Sequence, residues 1–219
     1  MKYEAILFDM DGVLIDSEEL MTKTGIMALR DYGIEAVPED FVPFVGRGED
    51  LYIGGVAEKY GVPYIKEMKH RCYDYFGQYV ETDAKVPAEI PGLLYQLRDL
   101  GYKTCVCTSA DWEKVVHNLR AMKVGKEVFD CIITGDKIKN KKPDPEIYLE
   151  GAVNLHVNPA KCVVIEDAPN GIMAAHAAGM LSIAIDTSFS ESELISRSHP
   201  DHVIHRLSEI LALLEDTQQ

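Results

Sequence analysis

The chain has 219 residues, with 22 Lys and Arg against 36 Asp and Glu, and its formal net charge is −14 at pH 7. Hydrophobic residues make up 47% and charged residues 26%, a composition typical of a soluble globular protein and unlike that of a disordered chain. The acidic balance argues against binding to nucleic acid or to an anionic membrane surface, because like charges repel.

Neither a signal peptide nor a membrane-spanning segment is predicted. Only residues 5–8 form an apolar run before Asp9, and no stretch approaches the roughly 18 apolar residues that a spanning helix needs. Five cysteines, at positions 72, 105, 107, 131 and 162, lie at spacings that match no zinc pattern. We therefore expect small buried thiols and a reducing, cytoplasmic location.

Predicted strands alternate with predicted helices along most of the chain. The strands are short and almost continuously apolar, at 3–8, 102–107, 130–134, 162–165, 181–185 and 202–204. The helices between them are predicted at 93–100, 112–122, 145–155 and 171–178. This alternation predicts an α/β fold with a doubly wound parallel sheet, in which ligands bind beyond the carboxyl ends of the strands.

The interval 16–85 breaks the alternation. It shows no strand pattern, and helices are predicted near residues 20–28, at 49–60 and at 64–80. Its length far exceeds that of a simple crossover between two strands. We therefore predict a helical domain at 16–85 inserted into an α/β core domain that comprises 1–15 and 86–219.

Two aspartates end the first predicted strand. Asp9 and Asp11 are followed by Gly12, so both carboxylates sit in a turn at the ligand-binding edge. Carboxylates this close resist joint ionisation, so one can serve as nucleophile or metal ligand and the other as acid and base. A purely structural Asp-rich turn is the alternative. Asp16, with Glu19 three residues later, is interpreted as a helix N-cap.

Three more predicted strands end in polar residues. Thr108 and Ser109 form an anion-binding corner, or cap the next helix. Lys142 can neutralise carboxylates and bind a phosphoryl oxygen, or is a solvated lysine. Glu166 and Asp167 complete an oxygen-rich set that suits Mg²⁺, or cap a helix. Because all these strand ends meet at one edge, we expect a single site rather than independent coincidences.

With these segments in order, the chain resembles the haloacid dehalogenase-like hydrolase superfamily over essentially its whole length. DMDGVLID is similar to its motif I, Thr108 to motif II, Lys142 before Pro143 to motif III, and Glu166-Asp167 to motif IV. The helical interval is similar to its C1 cap. The runs DGVLIDSE and EDAPNGIMAAHAAGM are most similar to β-phosphoglucomutase-like and CbbY-like members.

The resemblance implies a role for each motif residue and a Mg²⁺-dependent phosphatase as the whole. Asp9 would accept the phosphoryl group as an aspartyl-phosphate, and Asp11 would act as acid and base. Mg²⁺ would be held by Asp9, the backbone carbonyl of Asp11 and Asp167, with Glu166 touching the ion or its waters. Phosphoryl oxygens would be bound by Thr108 and Lys142, and Ser109, which follows Thr108, is a further candidate from its position at the strand end. The substrate would be a small phosphorylated metabolite, such as a sugar phosphate.

Several other classes of protein share parts of this motif set. Dehalogenases and phosphonoacetaldehyde hydrolases resemble the chain but lack a counterpart of Asp11, which favours a phosphate ester. β-Phosphoglucomutases carry a histidine where this chain has Met21, which favours hydrolysis over a mutase reaction.

Arg47, in a glycine turn, either contacts substrate or is a solvated charge. Receiver modules place similar groups around Mg²⁺ without steady turnover, but lack the inserted interval and Asp11.

Overall fold

The computed structural model describes residues 2–45 and 48–216. Its strands are β1 (Ala5–Phe8), β2 (Lys103–Cys107), β3 (Cys131–Ile133), β4 (Cys162–Glu166), β5 (Leu181–Ile185) and β6 (His202–Ile204). They form one parallel sheet in the order β3-β2-β1-β4-β5-β6. The predicted α/β fold with a doubly wound parallel sheet is confirmed, and the predicted strand ends differ from the observed ones by only a few residues.

Helices connect the strands. They are α1 (Glu18–Arg30), α2 (Glu49–Lys59), α3 (Lys66–Asp83), α4 (Ile90–Asp99), α5 (Trp112–Ala121), α6 (Glu146–Leu155), α7 (Pro169–Ala177), α8 (Glu191–Ser198) and α9 (Ile210–Asp216). The sequence patterns locate α1 to α7 to within a few residues but do not predict α8 and α9. No helix in residues 2–45 and 48–216 is long and apolar enough to cross a membrane.

The central strands are apolar because both of their faces are covered. Every residue of β1 is fully buried. Its alternating side chains serve two cores: Leu7 packs among residues of α6 and α7, whereas Ile6 and Phe8 belong to the larger cluster on the opposite face. Burying one such side chain contributes about 1.5–3 kcal/mol to folding. The strand is thereby fixed in place, and the turn that follows it is held at the sheet edge.

The segment between β1 and β2 begins and ends at adjacent positions. Asp16 N–H donates to the Lys85 carbonyl at 2.8 Å, and Lys85 N–H donates to the Asp16 carbonyl at 2.9 Å. The Lys85 ammonium also lies 3.2 Å from the Asp16 carboxylate. The prediction that Asp16 caps a helix is therefore wrong: Ser17 is the N-cap of α1, and Asp16 pairs with Lys85 instead. The division into domains at 15/16 and 85/86 stays a prediction.

The cysteines occur as free thiols. Cys72, Cys105, Cys107 and Cys162 are buried, as expected for small apolar residues, but Cys131 on the edge strand β3 is only partly buried. The expectation of burial is therefore wrong for Cys131, because a strand at the edge of the sheet is covered less completely than a central one.

Asp40 anchors the turn that joins α1 to α2. Its carboxylate accepts hydrogen bonds from the Lys59 ammonium, from Val37 N–H at 2.9 Å and from the Tyr60 hydroxyl at 2.7 Å. The Lys59 ammonium, followed by these other donors, lowers the pKa of Asp40 from 3.8 to about 2. Because the carboxylate is needed in the folded state, its stabilising effect is present above the unfolded pKa and is lost as the pH falls towards about 2.

Asp40→Asn is expected to lower the melting temperature at pH 7, because the amide lacks the charge that Lys59 contacts. The difference from the wild type should shrink when the pH is lowered from about 4 towards about 2. Thermal unfolding followed by circular dichroism, at pH 7 and at the lowest pH where the wild type stays folded, gives the difference in melting temperature at each pH. Glu39→Gln, which removes the neighbouring exposed carboxylate, is the control. An equal difference at both pH values would contradict the assignment.

Candidate active site

The carboxyl ends of three adjacent strands bring the predicted residues together. Asp9 directly follows β1, Thr108 follows β2, and Glu166 is the last residue of β4. Since β1 lies between β2 and β4, these three positions are neighbours along one edge of the sheet. One cavity there is lined by Asp9, Asp11, Thr108, Ser109, Lys142, Glu166 and Asp167. Arg47 lies outside the described residues, so its predicted substrate contact stays a prediction.

Lys142 connects two of the acidic residues that line this cavity. It comes from the loop between β3 and α6, and its ammonium is 2.5 Å from Asp9 Oδ1 and 2.6 Å from Glu166 Oε1. It also donates to the Cys107 carbonyl at 3.2 Å, and it sits 4.9 Å from the centre of the Tyr148 ring. With 8% of its side chain exposed, it is not a solvated lysine. This excludes the structural alternative for Lys142.

The buried charges shift one another's pKa values. Burial raises the pKa of Asp9 to about 7, although the Lys142 ammonium opposes the shift. Burial and the nearby Glu166 and Asp9 charges raise the pKa of Asp167 well above its usual range. Burial alone would lower the pKa of Lys142, but the Asp9 and Glu166 carboxylates outweigh it and raise that pKa. Lys142 therefore stays protonated, and the crowded carboxylates favour a further cation.

Glu166 uses both of its oxygens within the protein. Oε2 accepts from the N–H groups of Asp167 and Ala168, both at 2.9 Å. Oε1 accepts from the Lys142 ammonium at 2.6 Å and from the Tyr148 hydroxyl at 3.1 Å. This arrangement favours a role in which Glu166 positions Lys142, rather than the metal-ligand role that the sequence predicts.

Gly12 shapes the turn that carries the two aspartates. Its φ is +80°, a conformation that other residues rarely adopt, and a Cβ there would overlap the Asp167 carboxylate. The turn is closed by Gly12 N–H donating to the Ile15 carbonyl at 2.8 Å, and the Thr187 hydroxyl donates to the Gly12 carbonyl at 2.5 Å. Glycine therefore leaves the space beside Asp167 open.

The donor set fits a hard divalent cation. Asp9 and Asp167 are buried carboxylates at the same cavity, and the side-chain-free position at Gly12 adjoins Asp167. Within the described residues, no three His, Cys, Asp or Glu side chains converge as a complete ligand cluster. Backbone oxygen and water would have to complete the shell, as is usual for Mg²⁺, which keeps several waters.

Thr108 and Ser109 occupy the corner between β2 and α5. The Thr108 hydroxyl is buried and accepts from Ala110 N–H at 3.0 Å. The residue at the N-cap of α5 is Asp111, not Thr108, so helix capping does not explain the threonine. Both residues line the cavity, and their side chains can face a bound anion.

Sequence patterns missed the residues that hold Asp11. The Ser17 hydroxyl donates to Asp11 Oδ1 at 2.6 Å, and the Lys114 ammonium lies 2.9 Å from Asp11 Oδ2. Asn118 Nδ2 lies 3.4 Å from Oδ1. The sequence analysis did not single out Ser17, although a serine directly before the helix that begins at Glu18 is a common N-cap. Lys114 gave no signal, because a single lysine on a helix is ordinarily a surface residue.

The outer wall of the cavity comes largely from the segment between β1 and β2. Its polar members include Glu18, Thr22, Glu49 and Tyr52, and its apolar members include Met21, Phe44 and Val45. Phe189 and Arg197, from the loop before α8 and from α8 itself, line another part of it. The cavity can therefore hold a small ligand with both polar and apolar groups.

The fold and this site define a hydrolase of a known family. Residues 6–185 match the model of a family described as haloacid dehalogenase-like hydrolase. The match covers most of the chain, so the chain belongs to the haloacid dehalogenase-like hydrolases and is an enzyme. The family resemblance expected from the motifs is confirmed.

Individual relatives agree with this assignment. The phosphorylated carbohydrates phosphatase of Thermotoga maritima is 31% identical over 95% of this chain and 100% of its own length. Protein SUPPRESSOR OF QUENCHING 1, chloroplastic, of Arabidopsis thaliana is 40% identical over 88% of this chain, which spans only 19% of that protein. CbbY from Rhodobacter sphaeroides, crystallised in complex with phosphate, superposes with a TM-score of 0.84 at 26% identity, covering 97% of this chain and 99% of CbbY.

Proposed function

We propose that the chain is a Mg²⁺-dependent phosphatase that hydrolyses a small phosphorylated metabolite through an aspartyl-phosphate on Asp9. One observation carries this proposal: Lys142 bridges Asp9 and Glu166 in a cavity that Asp11, Thr108 and Asp167 also line. Phosphoryl transfer depends mainly on alignment and on charge neutralisation, and this set of residues is suited to supply both.

Each residue would take one part of the reaction. Asp9 would attack phosphorus while the bond to the leaving oxygen breaks, and Asp11 would protonate that oxygen. Asp11, then ionised, would take a proton from the water that hydrolyses the aspartyl-phosphate. Lys142 would orient Asp9, and together with Thr108 and Ser109 would bind phosphoryl oxygens. Glu166 would keep Lys142 in place through the 2.6 Å ion pair.

Asp9, the Asp11 backbone carbonyl and Asp167 would hold the Mg²⁺ ion. When bound, the ion would neutralise charge on the phosphoryl group and help to align it with Asp9. Burial raises the pKa values of both Asp9 and Asp167, and a divalent cation would offset the cost of ionising them together. The remaining ligands would be waters, as the small number of converging carboxylates requires.

Met21 supports hydrolysis over phosphosugar isomerisation. It lines the cavity, at the position where β-phosphoglucomutases carry a histidine. A thioether is only a weak hydrogen-bond acceptor and cannot exchange protons at neutral pH, so it cannot replace a histidine in handling a sugar hydroxyl. A β-phosphoglucomutase-type reaction remains the second candidate, because the rest of the site suits both reactions.

A sugar phosphate is the substrate class that we favour. Thr22 and Tyr52 place hydroxyl groups at the outer wall of the cavity, where they can bind sugar hydroxyls. The Thermotoga maritima relative, which is similar over nearly the whole chain, is named for phosphorylated carbohydrates. The segment 16–85 would act as a cap that opens to admit the substrate. The free thiols are in keeping with a reducing compartment such as the cytoplasm.

The direct test is phosphate release from a panel of phosphorylated metabolites, with and without Mg²⁺. The panel includes β-glucose 1-phosphate, assayed also for glucose 6-phosphate in the presence of a bisphosphate primer. Steady phosphate release that needs Mg²⁺ is the expected result. Isomerised product with little free phosphate would establish the mutase instead, and a single stoichiometric phosphorylation would indicate a receiver-like module.

Asp11→Asn is expected to slow steady turnover by about 10²- to 10⁴-fold, the usual contribution of a general acid or base. Phosphoryl transfer to Asp9 should persist with p-nitrophenyl phosphate, whose leaving group departs without protonation. Rapid mixing should therefore show one equivalent of nitrophenolate released quickly, followed by a slow phase. An unchanged steady rate would show that Asp11 has no acid–base role.

A further inference from the structure

Lys114 is a buried cation with no part in the chemistry proposed above. It lies on α5, and only 7% of its side chain is exposed. Burial alone would lower the pKa of its ammonium, but the Asp11 and Glu49 carboxylates outweigh burial and raise that pKa. A buried, charged lysine of this kind needs partners at fixed distances. Its partners come from two different parts of the chain.

Asp11 is the partner on the core side. Lys114 Nζ lies 2.9 Å from Asp11 Oδ2, whereas Oδ1 accepts from the Ser17 hydroxyl at 2.6 Å. Both carboxylate oxygens of Asp11, the proposed acid–base residue, are thus held: Oδ2 by Lys114 and Oδ1 by Ser17. Removing the Lys114 ammonium would free Oδ2 and allow the carboxylate to rotate.

Glu49 is the partner on the other side. It is the first residue of α2, and its Oε1 lies 3.6 Å from Lys114 Nζ. Its carboxylate also accepts from the Tyr73 hydroxyl and, at 3.1 Å, from Asp111 N–H at the start of α5. Only 11% of its side chain is exposed. Glu49 is therefore anchored to α3 through Tyr73 and docks directly on α5.

The segment between β1 and β2 encloses Lys114 further. The Phe76 ring of α3 is fully buried, and its centre lies 5.6 Å from the Lys114 ammonium. The ammonium is thus in contact with Asp11 and, at the same time, with α2 and α3. If α2 and α3 withdrew, Lys114 would lose Glu49 and Phe76 together, and water would reach its bond to Asp11.

We propose that Lys114 and Glu49 are positioning residues that fix the Asp11 carboxylate for attack by water and make its orientation depend on the docking of α2 and α3. This inference rests on the proposed function. Lys114 orients Asp11 directly, and Glu49 orients Lys114. Both residues line the cavity, and in this proposal they act through Asp11 rather than by binding the phosphoryl group. Their contribution falls on hydrolysis of the aspartyl-phosphate, the step that needs Asp11 ionised and correctly placed.

The test separates the two halves of the reaction with p-nitrophenyl phosphate. Its kcat/KM reports steps up to nitrophenolate release, which need no proton from Asp11, whereas kcat includes hydrolysis of the phosphoenzyme. Lys114→Gln should lower kcat by about 10- to 100-fold, because misplacing a reacting group by about 1 Å costs up to about 10²-fold. Its kcat/KM should stay within about threefold of the wild type, so that KM falls with kcat.

Glu49→Gln keeps the shape of the side chain and leaves Lys114 paired with Asp11. We expect it to lower kcat by about 3- to 10-fold, again with little change in kcat/KM. Glu81→Gln is the matched control: it breaks the 2.6 Å ion pair between Glu81 of α3 and Arg120 of α5, at the same interface but without contact to Asp11. It should leave both constants unchanged. Melting temperatures identify variants that fail to fold. If Lys114→Gln does not fold, the comparison of Glu49→Gln with Glu81→Gln tests the proposal.

Different failures have different meanings. A wild-type protein that releases phosphate neither from p-nitrophenyl phosphate nor from any member of the metabolite panel would overturn the proposed function and this inference with it. An active wild type with unchanged kcat in Lys114→Gln, or with kcat and kcat/KM lowered equally, would overturn the inference alone. The same holds if Glu49→Gln and Glu81→Gln behave alike.

Discussion

Asp9→Asn is expected to abolish turnover while the protein stays folded. The amide cannot attack phosphorus, so no aspartyl-phosphate forms, and loss of a covalent nucleophile costs at least about 10⁴-fold in kcat. The fold should tolerate the change because burial already raises the pKa of Asp9 to about 7 and thus disfavours its charged form. Asparagine has the same shape and is neutral, so it removes the free-energy cost of burying a charged carboxylate, although it weakens the contact to Lys142.

Two measurements check this variant. Acid-quenched protein should carry no phosphate after incubation with a substrate that labels the wild type, and the melting temperature should change by no more than a few degrees. A phosphate ester should still raise the melting temperature of the variant, since Thr108 and Lys142 remain in the cavity. Near-normal turnover would show that Asp9 is not the nucleophile.

Lys142→Met is expected to impair both activity and stability. Methionine fills the space but leaves Asp9 and Glu166 as buried carboxylates without their shared cation. Breaking a buried ion pair from one side typically costs about 3–5 kcal/mol of unfolding free energy. Loss of a charge that stabilises the transition state should lower kcat/KM by a further factor of about 10² to 10³ among the molecules that remain folded.

Lys141→Met is the matched control for this prediction. Lys141 is the neighbouring residue, but its ammonium contacts the Gly135 carbonyl and no carboxylate of the site. Urea unfolding gives the stability of both variants, and initial rates with p-nitrophenyl phosphate give their activity. Equal effects of the two substitutions would show that general damage to the loop, and not the bridge between Asp9 and Glu166, is responsible.

The sequence predicts the sheet well because local pattern and environment agree there. β1 and β4 are buried on both faces, and a strand in that environment must be apolar throughout, as residues 5–8 and 162–165 are. The prediction fails for α8, where only Leu194 and Ser198 are buried, so almost no apolar face exists to detect. Its capping box, formed by Ser190 and Glu193, was the available signal.

The residues of the site also differ in how far the sequence predicts them. Asp9, Thr108 and Asp167 were predictable because each directly follows a recognisable strand, and topology alone brings such positions together. Lys142 lies nine residues beyond the end of β3, and its place in the motif before Pro143 was the signal for it. The roles of Glu49 and Lys114 could not be predicted from the sequence. Their contact depends on how α2 packs against α5, and no local sequence pattern encodes that packing. Asp16 shows the converse: its sequence fits a cap, yet pairing with Lys85 determines its place.

The central position of β1 also constrains how the chain folds. Ala5 pairs with Lys103 on one side and with Cys162 on the other, so β1 has no partner until distant parts of the chain have been synthesised. Pairing over such separations is slow, whereas contacts within and between α1, α2 and α3 are local in sequence and can form early. During synthesis the apolar residues Ala5–Phe8 would therefore remain unpaired while the neighbouring helical segment folds. In that state their exposed backbone and apolar side chains make the chain prone to aggregation.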